Sequence, residues 1–280
     1  MRVSFVSLLV VLGMTLGCGG PNYPDDLLAL RSVGSDGGVV PLSCRPDVDG
    51  RISDDELPVA LGATARYLVS SGEVVVDIDG QDQDGQRVWI LDGVGPDDQV
   101  LGVSARGIED AWFADRLPAD SYAVPLDGSG RLLGLFARRP GALLSLGSVS
   151  AEENPGEGQT WLLYEPALDL FRLPLDVGSS WSQQASIRDG TVQGLPIAAR
   201  HTLRVEVLRE GRLVLPDLTF DRVLQVAMFV HQETVVGAPL DLVQVSFIAE
   251  CYGEVARMSS LAGETTAAFT TASEVRRLVF

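Results

Sequence analysis

Sequence patterns typical of nucleophilic or histidine-based catalysis are few in this chain. Ser104 lies in the sequence Gly-Val-Ser-Ala-Arg, which lacks the second glycine of the turn that exposes a catalytic serine. The two histidines, His201 and His231, occur at the ends of apolar, strand-like runs, where a structural role is favoured over catalysis. The chain contains no lysine, which excludes Schiff-base and P-loop chemistry. We therefore expect a protein that is not an enzyme.

A metal site is suggested by acidic residues at the spacing of a calcium loop. Residues 45–56 resemble a degenerate EF-hand loop, in which Asp47, Asp49 and Glu56 occupy the third, fifth and twelfth positions. An arginine holds the first ligand position, and Pro58 would end the exit helix almost at once. The pattern predicts a weak calcium site at best, and the alternative is an Asp-Gly turn without a metal.

A second acidic cluster lies further along the chain, between two apolar runs. It contains two Asp-Gly pairs and four aspartates: Asp77, Asp79, Asp82 and Asp84. Asp-Gly between strand-like runs is a strong hairpin signal, whereas a metal site would require these carboxylates to converge from an exposed loop. We expect a solvated hairpin turn.

The N-terminus has the three parts of an export signal. Arg2 precedes an apolar run over residues 3–16, which is shorter than the ~20 residues that a membrane-spanning helix needs. Gly17 and Cys18 then resemble the bacterial lipobox, which implies that residues 1–17 are removed and that Cys18 carries diacylglycerol and acyl chains such as palmitate. Gly19 stands where aspartate would retain such a lipoprotein at the inner membrane, so the resemblance implies the outer membrane. The alternative is ordinary secretion with an incidental Cys18.

Export also determines what we expect of the other two cysteines. Free thiols are unusual in an oxidising compartment, so Cys44 and Cys251 are predicted to form a disulfide, with two separately buried thiols as the alternative. Residues 18–43 are rich in Gly, Pro, Asp and Ser, which predicts a flexible tether. The formal net charge of −17 becomes −18 without Arg2, and no basic cluster offsets it. Nucleic-acid binding is thereby excluded.

The rest of the sequence is typical of an antiparallel β protein. Short alternating or β-branched runs separated by Gly, Pro and Asp recur from about residue 63, and they predict a mainly β sandwich or partly open barrel. Two short helices are expected, one after Ser53 and one over residues 108–113. The polar segment 151–159 indicates a boundary between an N-terminal β domain, 44–155, and a C-terminal β domain, 156–280.

Three motifs in the C-terminal half carry a resemblance to known sequences. They are P-L-x-x-G-x-x-W over residues 174–181, P-x-x-T-F-x-x-V over 216–223, and Gly253-Glu254-Val255. The chain from about Cys44 to Arg277 resembles uncharacterised myxobacterial-type bacterial lipoproteins. The resemblance implies an envelope location and a β fold, and no activity. The motif residues themselves favour structural roles, as turn, core and strand-start positions.

Taken together, these features predict a non-catalytic envelope lipoprotein, attached to a membrane through Cys18, with a structural or binding role and an unidentified envelope partner. One alternative is a carrier that encloses a lipid or other apolar ligand, which requires an apolar cavity. Another is a hydrolase of envelope polymers, which requires a histidine or paired carboxylates in an open cleft. No cofactor is expected apart from weakly bound calcium.

Overall fold

The computed structural model describes residues 31–33, 39–41, 44–235 and 237–280. The predicted signal peptide, 1–17, and the predicted lipidation site, Cys18, lie outside these residues. Of the predicted tether, 18–43, two short strands are described, and they pair with each other apart from the main sheet.

Nearly all regular structure in the described part of the chain is extended. Its strands are β1 (Arg31–Val33), β2 (Val39–Pro41), β3 (Thr64–Val75), β4 (Gln81–Gln83), β5 (Gln86–Ile90), β6 (Gln99–Ser104), β7 (Arg106–Gly107), β8 (Tyr122–Pro125), β9 (Leu132–Arg139), β10 (Ala142–Ser150), β11 (Trp161–Arg172), β12 (Ser180–Val192), β13 (Leu195–Val214), β14 (Thr219–Thr234), β15 (Leu240–Ala249), β16 (Gly253–Ser260) and β17 (Thr271–Val279). A 3-10 helix spans Ala114–Arg116.

The main sheet is nearly closed into a barrel with a seam. Each strand from β7 to β17 pairs antiparallel with the next, and the order continues from β17 to β3 and then to β6. Ala105 joins β6 directly to β7, so the two edges of the sheet are neighbours in sequence and lie at the seam. Strand β5 adds to β13 in parallel and carries β4. The predicted antiparallel β class is therefore confirmed.

Local sequence explains why these segments become strands and turns. In β3, Ala65, Tyr67 and Val69 are at most 9% exposed and alternate with more exposed residues, because successive side chains of a strand point to opposite faces. Asp84 and Gly85 both have positive φ, 52° and 83°, and join β4 to β5 as a tight hairpin turn. The predicted hairpin turn is confirmed. The strand before the turn, β4, belongs to the acidic segment itself and not to the apolar run that precedes that segment.

Two segments outside the consecutive strand order pack against the sheet. Trp89 of β5 stacks edge-on against Phe247 with ring centroids 5.0 Å apart, and its Nε1 donates to the carbonyl oxygen of Ile78. On the other side of the molecule, Ile108 and Phe113 pack on Leu133, Leu135 and Leu146 in a second, smaller core. Strand β16 is buried at every position, so both faces of the sheet are covered there.

The two predicted short helices are wrong. Residues 54–56 and 109–113 are turns and bends, and the 3-10 helix begins only at Ala114. Each segment is too short to repay the cost of helix nucleation and is held by tertiary contacts instead. The segment 151–159, where we predicted a domain boundary, lies in the connection between β10 and β11, which are hydrogen-bonded to each other. The predicted domains 44–155 and 156–280 both contribute strands to this sheet.

A buried ion network lies across β16 and β17 and consists of Glu254, Arg257, Glu274 and Arg276. Arg257 lies 3.6 Å from Glu254 and 3.4 Å from Glu274, while Arg276 Nε donates to Glu274 Oε1 at 2.6 Å. Ser246 donates to Glu254 Oε2 at 2.7 Å. The arginines offset the carboxylates, so charges that would be costly to bury singly are buried as a balanced set.

Candidate functional site

The disulfide between Cys44 and Cys251 organises the best candidate site. Its two Cα atoms lie 5.6 Å apart although 207 positions separate the residues in sequence. The predicted pairing is confirmed. The bond joins the start of the EF-hand-like loop, residues 45–56, to the turn between β15 and β16. In that turn, Cys251 N also donates to the carbonyl oxygen of Glu56 at 2.7 Å. A loop near the N-terminus is thereby held against a turn near the C-terminus.

Three carboxylates meet beside this disulfide, and we call Asp47, Asp49 and Glu250 the acidic cluster. One oxygen from each lies within 4.8 Å of the others. The backbone N–H of Val48 donates to Glu250 Oε2 at 2.8 Å and fixes the position of that carboxylate. Hard divalent cations such as Ca²⁺ prefer this kind of oxygen-donor set.

Local hydrogen bonds shape the loop that presents the two aspartates. Asp49 N donates to Asp47 Oδ1 at 3.1 Å, and Arg51 N donates to Asp49 Oδ1 at 2.7 Å. Such Asx turns are the reason aspartate favours loops. Ile52 then forms a β-bridge with Leu175, with backbone bonds of 3.0 and 2.8 Å, and both side chains are buried. The loop is therefore fastened to the barrel at both of its ends.

The third predicted calcium ligand, Glu56, does not join Asp47 and Asp49. Its Oε2 accepts from Ser53 N at 2.9 Å and from Ser53 Oγ at 2.6 Å, and the residue is 6% exposed. Glu250 supplies the third carboxylate instead. The signal for Glu250 was its position next to Cys251, because the predicted disulfide brings residue 250 beside the loop.

The electrostatics of the acidic cluster are unbalanced. Partial burial raises the pKa of Glu250, and repulsion from Glu56, Asp47 and Asp49 adds to the rise, against the Val48 N–H bond that lowers it. The loop residues line an open depression of about 310 Å³. A bound cation would relieve this repulsion, so the arrangement can hold a metal ion, with few ligands and at an exposed position.

The two histidines have partners that favour structural roles. His201 lies within β13, 3% exposed, and its Nδ1 is 3.5 Å from the hydroxyl of Tyr164. Burial lowers the pKa of His201 to about 4, so the ring is neutral at physiological pH. His231 Nδ1 lies 2.7 Å from Asp241 Oδ1 and its Nε2 lies 3.7 Å from Glu233, and the hydrogen bond with Asp241 raises its pKa.

The remaining residues that we considered for chemistry are dispersed. Ser104 Oγ lies on β6 within 2.6 Å of the Thr64 hydroxyl, on the neighbouring strand. In the acidic hairpin turn, residues 77–85, Asp77 accepts from Gly80 N, and Asp79 and Asp82 form ion pairs with arginines. These contacts stabilise the turn.

The motif residues occupy the structural positions that the sequence indicated. Gly178 has a φ of +88° in the turn before β12. Trp181 is 7% exposed, and its Nε1 donates to the carbonyl oxygen of Asp169 at 2.9 Å. Thr219 and Phe220 begin β14.

Comparisons with known proteins identify no relative: no family model, no curated protein and no solved structure matches this chain. Among the described residues, no helix has the length and apolar character to cross a membrane.

A second depression, of about 270 Å³, is lined by Arg106, Glu109, Asp110 and Phe113 among others. Both depressions are lined by charged as well as apolar side chains: Asp47 and Leu173 are among those in the first, and Asp110 and Leu133 are among those in the second.

Proposed function

We propose that this protein is a non-catalytic lipoprotein of the bacterial envelope, held at the outer membrane through lipid on Cys18, with a structural or binding role for its β domain. It would then belong with the uncharacterised myxobacterial-type lipoproteins that it resembles. The observation that carries the proposal is the disulfide between Cys44 and Cys251.

The disulfide supports export because such bonds persist in oxidising compartments and are rare in the cytosol. The chain has three cysteines, and two of them are bonded to each other. The third, Cys18, directly follows a small residue at the end of the predicted export signal. A cysteine in that position has a specific use as the acceptor of the lipid.

A non-catalytic role is supported by how the candidate catalytic groups are engaged. His201 is buried and neutral, His231 is bound by Asp241, and Ser104 is hydrogen-bonded to Thr64 on the adjacent strand. Each contact has a structural explanation, and Ser104 on β6 is separated in the strand order from the two histidines, which lie on the paired strands β13 and β14.

As a second candidate function, the acidic cluster would bind Ca²⁺ weakly and stabilise the disulfide-bonded end of the domain. The convergence of Asp47, Asp49 and Glu250 favours it. The loop ends in turns and has no helices that could reorient, so the site would not act as a sensor.

Metabolic labelling with a fatty-acid analogue in the native host tests the anchor. The wild-type chain should carry the label and should fractionate with outer membranes, whereas Cys18→Ser should lose the label and become soluble. Gly20→Ser, which leaves the cysteine in place, serves as the control and should remain labelled. Label that persists in Cys18→Ser would refute lipidation at this residue.

A further inference from the structure

Two neighbouring β-hairpin tips contain no charged residue. One covers residues 190–199 between β12 and β13, and the other covers residues 234–240 between β14 and β15. The two lie side by side, since the backbone N–H of Val235 donates to the carbonyl oxygen of Ala198 at 3.3 Å. We call them the paired tips.

Large apolar side chains of the paired tips are open to solvent. Val235 is 81% exposed, Leu195 is 71% exposed and Val192 is 38% exposed. Val192 and Leu195 are directly opposite each other at the end of their hairpin. Scattered apolar residues are ordinary on a protein surface, but these three lie on adjacent hairpin ends and together form a local apolar surface.

The lack of charge is specific to these tips. Charged residues make up 21% of the chain, and the other prominent turns, 77–85, 92–98 and 151–160, each contain three or more acidic residues. Burying a charge in an apolar medium is costly, so a surface that enters such a medium must be free of charge. The paired tips meet this requirement.

The paired tips and the disulfide lie at opposite ends of β15, and the tether can bridge that distance. The ten residues of β15 span about 34 Å. The twelve residues 19–30 alone can span up to about 40 Å when extended. The bilayer that holds lipid on Cys18 is therefore within reach of the paired tips.

We propose that the paired tips insert into the interface of the bilayer that carries the lipid on Cys18, so that the barrel contacts the membrane at a second point. This inference rests on the proposed lipidation. Separate, convex protrusions suit a deformable lipid interface, whereas a protein partner would have to provide a matched pocket for each of them. The tips contain no arginine to bind anionic headgroups, and the adjacent turn 151–160 carries three glutamates. Zwitterionic phospholipid is therefore the preferred surface.

Depth-dependent fluorescence quenching on lipidated protein in phosphatidylcholine vesicles tests this contact. A fluorophore is attached through Ala238→Cys, an exposed tip residue, and in a matched control through Val177→Cys, which is 51% exposed in the turn between β11 and β12. Spin-labelled lipid should quench the tip probe at least about twofold more than the control probe. Equal quenching at both positions would overturn the proposal.

The double variant Leu195→Asp/Val235→Asp separates tip docking from anchoring. It should abolish the extra quenching while the protein still floats with vesicles through its lipid, and its thermal midpoint should stay unchanged because both side chains are exposed. Loss of flotation in the wild-type protein would instead count against lipidation, which is the proposed function.

The unlipidated Cys18→Ser chain tests the tips independently of the anchor. Its partitioning into phosphatidylcholine vesicles should be weak, should fall about tenfold or more in Leu195→Asp/Val235→Asp, and should be unaffected by Val177→Asp. Identical partitioning of all three chains would refute the proposal. Concentration-dependent dimers that disappear in the double tip variant, without vesicle binding, would assign the tips to a second copy of the chain.

Discussion

The buried ion network and the acidic cluster both concentrate carboxylates, but only the network balances them. Glu254 and Glu274 share Arg257 and Arg276, whereas Asp47, Asp49 and Glu250 face one another beside the disulfide. Arg222 lies beside the loop, where it donates to the carbonyl oxygen of Val48, but its ion pair is with Glu210 and not with a carboxylate of the acidic cluster.

At Glu274 and Glu250 the pKa directions follow this difference, although burial raises the pKa of Glu254 within the network. Although burial pushes it upward, attraction to Arg257 and Arg276 lowers the pKa of Glu274 overall. Burial and repulsion from its neighbours raise the pKa of Glu250. The charge of Glu274, held between two arginines, contributes to stability, while the unbalanced acidic cluster costs stability and becomes a candidate cation site.

Removing the disulfide should have the largest effect on this comparison. Cys44→Ser/Cys251→Ser opens a covalent loop of 207 positions, which the chain-entropy model values at about 5 kcal/mol as an upper figure. The acidic cluster should also disperse, so the pKa of Glu250 should return toward its ordinary value. Urea unfolding and NMR titration of the glutamate carboxyl group measure the two effects. A Glu250 pKa that stayed raised without the disulfide would show that the bond does not hold the cluster together.

Breaking the buried ion network should come next. Arg257→Met leaves Glu254 and Glu274 buried with too little positive charge, and it should cost about 3 to 5 kcal/mol of unfolding free energy. The matched control is Arg188→Met, which breaks an exposed pair with Glu165 and should cost less than about 1 kcal/mol.

Adding Glu254→Leu to Arg257→Met should recover part of that loss, because the unpaired charge is removed together with its partner. Equal costs for Arg257→Met and Arg188→Met in chemical denaturation would mean that burial of the network does not matter.

The pH dependence of two glutamine variants should have opposite signs. Folding raises the pKa of Glu250, so the ionised carboxylate destabilises the folded protein at pH values above that pKa. Glu250→Gln should therefore raise the free energy of unfolding by up to about 0.5 kcal/mol near pH 7. This gain should vanish on acidification, because the wild-type carboxyl group is then neutral as well. Folding lowers the pKa of Glu274, which stabilises the protein above the ordinary glutamate range and ceases to do so as pH falls through the lowered value. Glu274→Gln should therefore destabilise at neutral pH and less in acid. Denaturation curves across this pH range would contradict the comparison if both variants shifted stability in the same direction.

Calcium should have the smallest effect. Calorimetric titration of the chelator-stripped chain should give binding no tighter than about 10⁻⁴ M, the range of extracellular modules. Glu250→Gln should abolish it, whereas Glu56→Gln should change it little as long as the fold is retained, because the Glu56 carboxylate is taken by Ser53. Micromolar binding that depended on Glu56 would instead support the ligand set predicted from the EF-hand-like spacing.

The sequence was informative wherever a local pattern or an exclusion was sufficient. Alternating strands such as β3 and the Asp84-Gly85 turn follow from the two-residue period and from residues that tolerate positive φ. The pairing of Cys44 with Cys251 followed from the number of cysteines and the expected compartment. Local signals failed for the short helices, since Ser53 and Glu56 form the hydrogen bonds of a helix cap without a helix after them.

Only the tertiary structure decided which distant residues meet. Glu250 replaces Glu56 beside Asp47 because a bond between residues 207 positions apart brings it there. Arg257 and Arg276 are buried because strand register places them opposite each other in a sheet that is covered on both faces. No residue window encodes these contacts, since register and covering depend on the whole sheet. The sequence thus determined the type of fold and the residues available for chemistry, and the packed sheet determined which of them act together.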